Sequence, residues 1–252
     1  MFARHTIVKI VFEVLIFTAA LAGGIVAAVA GFGIGSLLTP AVALQVDARL
    51  AVAVVSIPHM AGTAFRFWLL GGRIDRRVLW NFGVMSAAGG LVGALLQARA
   101  GVPALTVIFG ALLLFSAAAE MSGLAQRMRF DGPLAWVAGG ASGLLGGLVG
   151  NQGGIRSAAL LGVDLPKHAF VATATAVALM VDAARVPVYL WQQHDAITER
   201  SGWIVLATLG VIAGTLVGNR VLAWIPERSF RRVVAIVLAV LGTVMVVNGF
   251  TA

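Results

Sequence analysis

Long apolar stretches, separated by short polar loops, follow one another along almost the whole chain. A helix needs about 20 apolar residues to cross the hydrocarbon core of a bilayer. Six uninterrupted stretches reach this length, and each predicts a transmembrane helix. They cover residues 49–71, 78–97, 102–121, 167–191, 201–220 and 230–250.

Two further apolar stretches, residues 8–46 and 133–163, are interrupted by glycines. The first interruption is Gly31–Pro40, with the sequence GFGIGSLLTP, and the second is Gly150–Ser157, with the sequence GNQGGIRS. A helix cannot pass unbroken through three glycines and a proline, and in lipid the freed backbone groups must face protein, water or a ligand. Paired glycine-interrupted segments in two halves of a membrane protein are typical of a transporter's substrate site.

Composition places the chain among integral membrane proteins, because 60% of its residues are hydrophobic, 11% are charged and the mean hydropathy is +0.98. No polar stretch is long enough for a soluble domain, so we predict one membrane domain. The absence of cysteine excludes disulfides and thiolate metal sites. We predict no metal site, no cofactor and no catalytic residue.

The net charge of +8 comes from basic residues in short loops rather than from one basic stripe. We therefore expect no nucleic-acid partner and interpret the arginines as topology signals. Residues 73–77, 127–129 and 228–232 are predicted to be cytoplasmic, and residues 122–132 to form a cytoplasmic linker. The side of the amino terminus, with Arg4 and Lys9, stays open. This terminus also resembles a cleavable signal peptide, although its removal would delete part of the first broken segment.

The chain contains an internal repeat. Most of the two halves align after a shift of 119 residues. Beyond the next loop the shift grows by two residues, which pairs Gly89 with Gly210 and Gly93 with Gly214. Each half, about 8–121 and about 133–250, then consists of a glycine-broken helical hairpin and three transmembrane helices. An odd number of crossings makes the repeats inverted, so the predicted fold is an all-α membrane protein of two inverted repeats. A shift of 119 residues pairs Gly31 with Gly150, Gly35 with Gly154, Val52 with Val171, Ala53 with Ala172, Ser56 with Thr175 and Arg66 with Arg185.

The helix after each break carries a polar stripe. Ionisable groups at membrane depth are costly and normally face a bundle interior or a wet cavity. The alternative is that the arginines extend to the membrane surface and that Asp182 pairs with Arg185. His59 has no evident partner, which favours a structural histidine over a proton carrier. The stripes supply a second choice of pathway residues, Ser56, His59, Arg66, Thr175, Asp182 and Arg185, with Thr63 and Tyr189 on the same faces.

The breaks themselves give the first choice of binding residues. A helix that restarts after a break presents free backbone N–H groups and a positive dipole end, which together attract anions. Arg156 adds a full charge, and Leu37 stands at the matched place in the first half. Alternatively, Arg156 binds helix carboxyl-terminal carbonyls or a lipid headgroup. The predicted substrate ligands are Gly33, Gly35, Ser36, Asn151, Gln152, Gly153, Gly154, Arg156 and Ser157.

Other glycines recur every four residues, as close helix contacts in lipid require. We interpret them as packing residues. They are Gly139, Gly143 and Gly147 in one segment, and Gly210, Gly214 and Gly218 in another.

The first break, followed by Ala51-Val52-Ala53, resembles the TauE/SafE group of sulfite and organosulfonate exporters. Leu161–Ala169, with the sequence LGVDLPKHA, followed by Ala172-Thr173, resembles that family's second-half signature. The similarity covers nearly the whole chain, although the family usually has a plainer glycine run at Asn151–Arg156. It implies a multi-pass anion transporter of the bacterial inner membrane, and it leaves the substrate, the transport direction and a homodimeric state open.

Three other functions have some support in the sequence. The sequence Gly140-Ala141-Ser142-Gly143 fits the motif of intramembrane serine proteases, but the last two transmembrane segments contain no histidine to activate the serine. An anion channel and a membrane subunit of a larger complex stay open. We predict a secondary transporter, most simply an exporter, of a small sulfur-containing anion, and not an enzyme.

Overall fold

The computed structural model describes residues 2–123, 133–151, 153, 156, 160, 165–221 and 227–251, and no strand occurs among them. Their helices are α1 (Phe2–Ala30), α2 (Ile34–Val42), α3 (Ala48–Leu70), α4 (Arg76–Gln97, with a π-helical turn at Leu79–Gly83), α5 (Val102–Ser122), α6 (Pro133–Val149), α7 (Lys167–Thr198), α8 (Ser201–Val221) and α9 (Glu227–Thr251).

The prediction of an all-helical membrane protein is confirmed. Within the described residues, six helices are long and apolar enough to cross a bilayer, namely α1, α3, α4, α5, α7 and α8. Two details differ from the sequence analysis. The first break leaves α1 long enough to cross alone, with 25 suitable residues, whereas the apolar part of α9, Ala235–Thr251, is shorter than a full span.

The outer surface of the bundle is apolar. Large hydrophobic side chains such as Val137, Val205 and Val240 are more than half exposed, which suits contact with lipid chains. Trp68 and Trp80 are also exposed, on either side of the arginine loop at residues 73–77. Tryptophan prefers the level of the lipid headgroups, so this end of the bundle fits a membrane surface.

Helix packing follows the sequence repeat. α1 packs against α8 and α4 packs against α6, while α3 packs against α7 and α5 against α9. In the repeat, α1 corresponds to α6, α3 to α7, α4 to α8 and α5 to α9. Exchanging these partners turns the contact of α1 with α8 into that of α6 with α4, and it leaves the other two contacts unchanged. The repeat therefore extends from sequence to helix contacts. Inversion of one half relative to the membrane stays a prediction.

Glycines hold the matched helix pairs close together, as predicted. A Cβ at Gly143 would overlap the backbone carbonyl of Ser86 on α4, and a Cβ at Gly24 would overlap that of Val211 on α8. Gly24 and Gly143 stand 119 residues apart, so the same close contact occurs in both halves. Helices without a hydrophobic drive to associate in lipid gain much of their affinity from such close packing.

The contacts correct the predicted register of α4 against α8. Gly214 faces Leu21 and Ile25, while Gly89 faces Gly140 and Leu144, which lie 119 residues after those two. Gly89 is therefore equivalent to Gly214 and not to Gly210. The second half holds four more residues before this point than the sequence pairing assumed, about one helical turn. The extra length fits α7, which has 32 residues with a kink at Gln193, where α3 has 23.

Candidate anion site at two helix breaks

The first break lies between α1 and α2. Gly31 and Gly33 have φ values of 76° and 133°, a region that costs side chains other than glycine appreciable free energy. After this turn α2 folds back along α1, because a Cβ at Gly23 would lie 3.0 Å from the Cα atom of Ile34. The predicted hairpin is therefore present, with arms of 29 and 9 residues.

The second break repeats the first. Gly150 has a φ of 75°, which matches Gly31, and it directly follows the end of α6. Beyond it, Gly153, Arg156 and Leu160 are helical. Three of the predicted ligands, Gln152, Gly154 and Ser157, lie outside the described residues, as do residues 127–129 of the predicted cytoplasmic loop.

The two breaks meet inside the protein. Gly31 packs against Val171 and Ala174 on α7, and Gly150 packs against Val52 on α3, so each break rests on the other half of the chain. A Cβ at Gly35 would press against the carbonyl oxygen of Gly150. Glycine at position 35 is therefore required for this contact, whatever else its N–H group binds.

Similar contacts explain why two other predicted ligands are glycines. Gly153 lies against the side chain of Phe32, and Gly33 lies against Val26. Both glycines are buried and leave no room for a Cβ. Packing thus accounts for their residue type, and direct binding of an anion by their backbone N–H groups stays a prediction.

Ser36 and Asn151, one from each break, are joined by a hydrogen bond. Ser36 Oγ donates to Asn151 Oδ1 over 3.2 Å, and both residues are buried. Asn151 Nδ2 is also buried and has no hydrogen-bond partner among the described residues. The bond fixes the side-chain amide with its donor group free, which is the orientation that an anion needs.

Arg156 is one of the largest side chains that the fold buries completely, with 1% exposure. Its Nη2 donates to the carbonyl oxygen of Gly31 over 3.2 Å. Gly31 directly follows the carboxyl end of α1, so Arg156 does bind a carbonyl at a helix end, as the alternative interpretation expected. Nε and Nη1 are buried without a hydrogen-bond partner in the described part of the chain. The guanidinium is thus anchored by one nitrogen and has donors left on the other two.

Arg66 is buried as deeply, with 2% exposure, so it does not extend to the membrane surface. Its Nε and Nη1 likewise lack partners among the described residues. The charges of Arg66 and Arg156 act on one another, and both act on Asp182. Two buried cations with free donors near each other are unfavourable unless an anion joins them.

Arg185 differs from Arg66, its counterpart in the repeat, because it is fully paired. Its Nε donates to Asp182 Oδ1 over 3.0 Å, and Nη1 donates to the carbonyl oxygen of Gly146. Tyr189 donates in the same way to the carbonyl of Gly147. These carbonyls belong to the last turn of α6, where no helical partner is available. Arg185 and Tyr189 therefore secure the end of α6 before the break.

His59 has the partner that the sequence did not reveal. Its Nδ1 lies 2.7 Å from Asp182 Oδ2, across the contact between α3 and α7. The side chain also lies beside the first break, because His59 Cδ2 is 4.0 Å from a Cβ placed at Gly35. Asp182 thus joins Arg185 and His59, and His59 connects this pair to the helix breaks.

The hydroxyl groups near the site divide into two kinds. Ser56 and Thr63 donate to backbone carbonyls of their own helix, those of Ala53 and His59. Thr39 and Thr175 are buried, and their hydroxyls have no partner within the described residues. Thr39 lies beside the second break, 3.7 Å from a Cβ at Gly150. The sequence analysis missed Thr39, although it stands about one helical turn after Ser36.

The site is therefore rich in donors and positive charge. It contains three buried arginines and one buried aspartate, so the described charges sum to an excess of two positive charges when His59 is neutral. Guanidinium groups with free N–H donors bind oxyanions through paired hydrogen bonds. No group of three or more histidine, cysteine, aspartate or glutamate residues able to hold a metal occurs in the described part of the chain.

Comparison with known proteins agrees with this chemistry. A family model described as sulfite exporter TauE/SafE matches residues 15–245, which is nearly the whole chain. The chain belongs to the TauE/SafE family. TauE/SafE proteins are membrane transporters of sulfur-containing anions and not enzymes. No curated protein and no solved structure matches the chain significantly.

Proposed function

We propose that this TauE/SafE protein is a secondary transporter of a small sulfur oxyanion or organosulfonate, most simply an exporter in a bacterial inner membrane. The anion binds where the two helix breaks meet, between Arg66 and Arg156. The observation that carries this proposal is the set of free donors on these two arginines, four buried nitrogen atoms without a partner in the described structure.

The donors suit a tetrahedral or pyramidal oxyanion. Arg156 Nε and Nη1 can each donate to an oxygen, and Asn151 Nδ2 and the hydroxyls of Thr39 and Thr175 add neutral donors. The excess of two positive charges favours a dianion such as sulfite or a carboxylated sulfonate. A dianion would balance the charge of the site, whereas a monoanion would balance only half of it.

Binding to the purified protein tests the substrate. Isothermal titration calorimetry with sulfite, sulfate, sulfoacetate, methanesulfonate, acetate and chloride should give saturable binding for the sulfur anions and tighter binding for the dianions. Equal affinity for acetate, chloride and the sulfur anions would contradict a dedicated sulfur-anion site.

Flux through liposomes containing only this chain distinguishes a transporter from a channel or an accessory subunit. A transporter should show saturable uptake and countertransport, in which unlabelled substrate inside accelerates entry of labelled substrate. Flux that rises linearly with concentration and lacks countertransport would favour a channel. Binding without flux would favour a subunit of a larger complex.

A further inference from the structure

We propose that His59 is the site of a coupling proton, which binds together with the transported anion. This inference rests on the proposed anion site and adds the coupled ion. His59 is placed between the break at Gly35 and the carboxylate of Asp182. It is the only histidine that the described structure buries, since His168 and His194 are exposed and His5 lies in a region whose side chains are not described.

The hydrogen bonds determine which nitrogen can take up a proton. The guanidinium of Arg185 pairs with Asp182 and favours its ionised form, in which Oδ2 accepts a hydrogen bond from His59 Nδ1. The second ring nitrogen, Nε2, then has a free lone pair. It makes no hydrogen bond in the described structure, so it is the ring nitrogen that can accept a proton.

The surrounding charges make this proton depend on the anion. His59 contacts Asp182, which favours a positive charge on the ring, while Arg185 binds the other oxygen of the same carboxylate and Arg66 follows His59 by two helical turns on α3, and both oppose that charge. Arg156, which acts on both Arg66 and Asp182, adds to the positive field. Of the other helices packed on α3, α2 and α6 contain no titratable residue, α8 contains only Arg220, at its far end, and α5 contains only Glu120, near its carboxyl end.

An anion between Arg66 and Arg156 cancels much of the positive field. His59 Nε2 then takes a proton from water, Nδ1 keeps its own hydrogen and goes on donating it to Asp182, and an imidazolium forms. Release of the anion restores the field and returns the proton. Because linkage is reciprocal, a protonated His59 also strengthens anion binding. A dianion would thus cross with one proton and a net charge of minus one.

Calorimetry of the purified full-length protein tests this linkage. Sulfate and methanesulfonate are the probes, because neither changes its own charge near neutral pH, whereas sulfite does. Each is titrated in two amine buffers of different ionisation enthalpy, since sulfonate buffers would compete. The difference in heat gives the number of protons taken up per anion, and we expect a value above zero and up to one.

His59→Gln should abolish proton uptake and make the remaining anion affinity independent of pH. His194→Gln is the matched control, because His194 is exposed at the end of α7, and it should keep the wild-type uptake. Proton uptake that persists in His59→Gln, or anion binding to the wild-type protein without proton uptake, would overturn this inference and leave the proposed function standing. No binding of either anion would overturn the proposed function as well.

A measurement on the wild-type protein avoids any dependence on a foldable variant. Liposomes loaded with a pH-sensitive dye receive an inward sulfate gradient, with the membrane potential clamped. Coupled entry of sulfate and a proton should acidify the lumen. Sulfate entry without a pH change would refute proton coupling, while the absence of sulfate entry would count against the proposed function.

Discussion

Arg66 and Arg185 occupy matched positions in the two halves and are equally buried, but only Arg185 has an acidic partner. Asp182 and the carbonyl of Gly146 neutralise and bind Arg185, which gives it a structural role. Arg66 keeps a buried charge and two unpartnered nitrogens in the described structure. Under the proposed function, one matched position therefore supplies a structural arginine in one half and a binding arginine in the other.

Replacing these two arginines by glutamine should therefore have opposite effects. Arg66→Gln removes an unpaired buried charge, so we expect loss of anion binding with an unchanged or higher melting temperature. Arg185→Gln leaves Asp182 without its guanidinium partner, which should destabilise the protein by about 3–5 kcal/mol. Calorimetry and thermal unfolding of both purified variants give the comparison. A lower melting temperature for Arg66→Gln with normal binding would make Arg66 structural as well.

Arg156 should bind the anion through the fork of its guanidinium. Arg156→Ala removes one or more charge-assisted hydrogen bonds of about 1.5–3 kcal/mol each, so affinity should fall at least about ten- to a hundredfold. Arg156→Lys should recover only part of this loss, since an ammonium group cannot donate in parallel. Binding of sulfite and sulfoacetate by calorimetry provides the measurement.

The control for Arg156 is Arg99→Ala, because Arg99 is exposed after the end of α4. This variant should keep the wild-type affinity. Because Arg156 also donates to the carbonyl of Gly31, each variant needs a melting curve. Arg156→Ala with wild-type affinity would exclude this residue from the site.

The close contact between α4 and α6 predicts a strong effect at Gly143. A Cβ there would overlap the backbone of Ser86, and overpacking of this kind costs about 1–3 kcal/mol. Gly143→Ala should therefore lower the melting temperature. Gly202→Ala should leave it unchanged or raise it, because no atom lies within 4 Å of a Cβ at Gly202. Equal melting temperatures for the two variants would contradict the packing described.

The topology of the inverted repeats can be tested with reporters that are active on one side of the membrane only. Fusions after Gly72, Met128 and Glu227 should report the cytoplasm, and a fusion after Ala252 should report the outside. The arginines at residues 73–77 and 228–232 underlie this prediction. An external report after Glu227 would replace the inverted arrangement by a parallel one.

The helices and their breaks could be predicted because they depend on local sequence. Bilayer thickness fixes the length of an apolar helix, and the glycine clusters that begin at Gly31 and Gly150 favour a break because glycine readily adopts a positive φ. The side-chain partners could not be predicted in the same way. His59 and Asp182 are 123 residues apart, and the spacing within one helix does not reveal which side chain faces it from another.

The register of α4 against α8 failed for a related reason. The glycine spacing of four fits equally well after a shift of one turn, so sequence alone cannot choose between Gly210 and Gly214 as the partner of Gly89. The choice depends on the length of α7, which continues seven residues beyond the predicted end at residue 191. Only the contacts with α1 and α6 decide it.

An anion site at the meeting of the two breaks, as proposed, would fix the stoichiometry of transport. Ser36, His59 and Arg66 come from the first half, whereas Asn151, Arg156 and Asp182 come from the second. Neither half contains a complete set of anion donors, and a single chain contains one set. Each polypeptide should therefore bind one anion per transport cycle. If chains associate, every added copy brings an independent site and the binding ratio stays at one per chain.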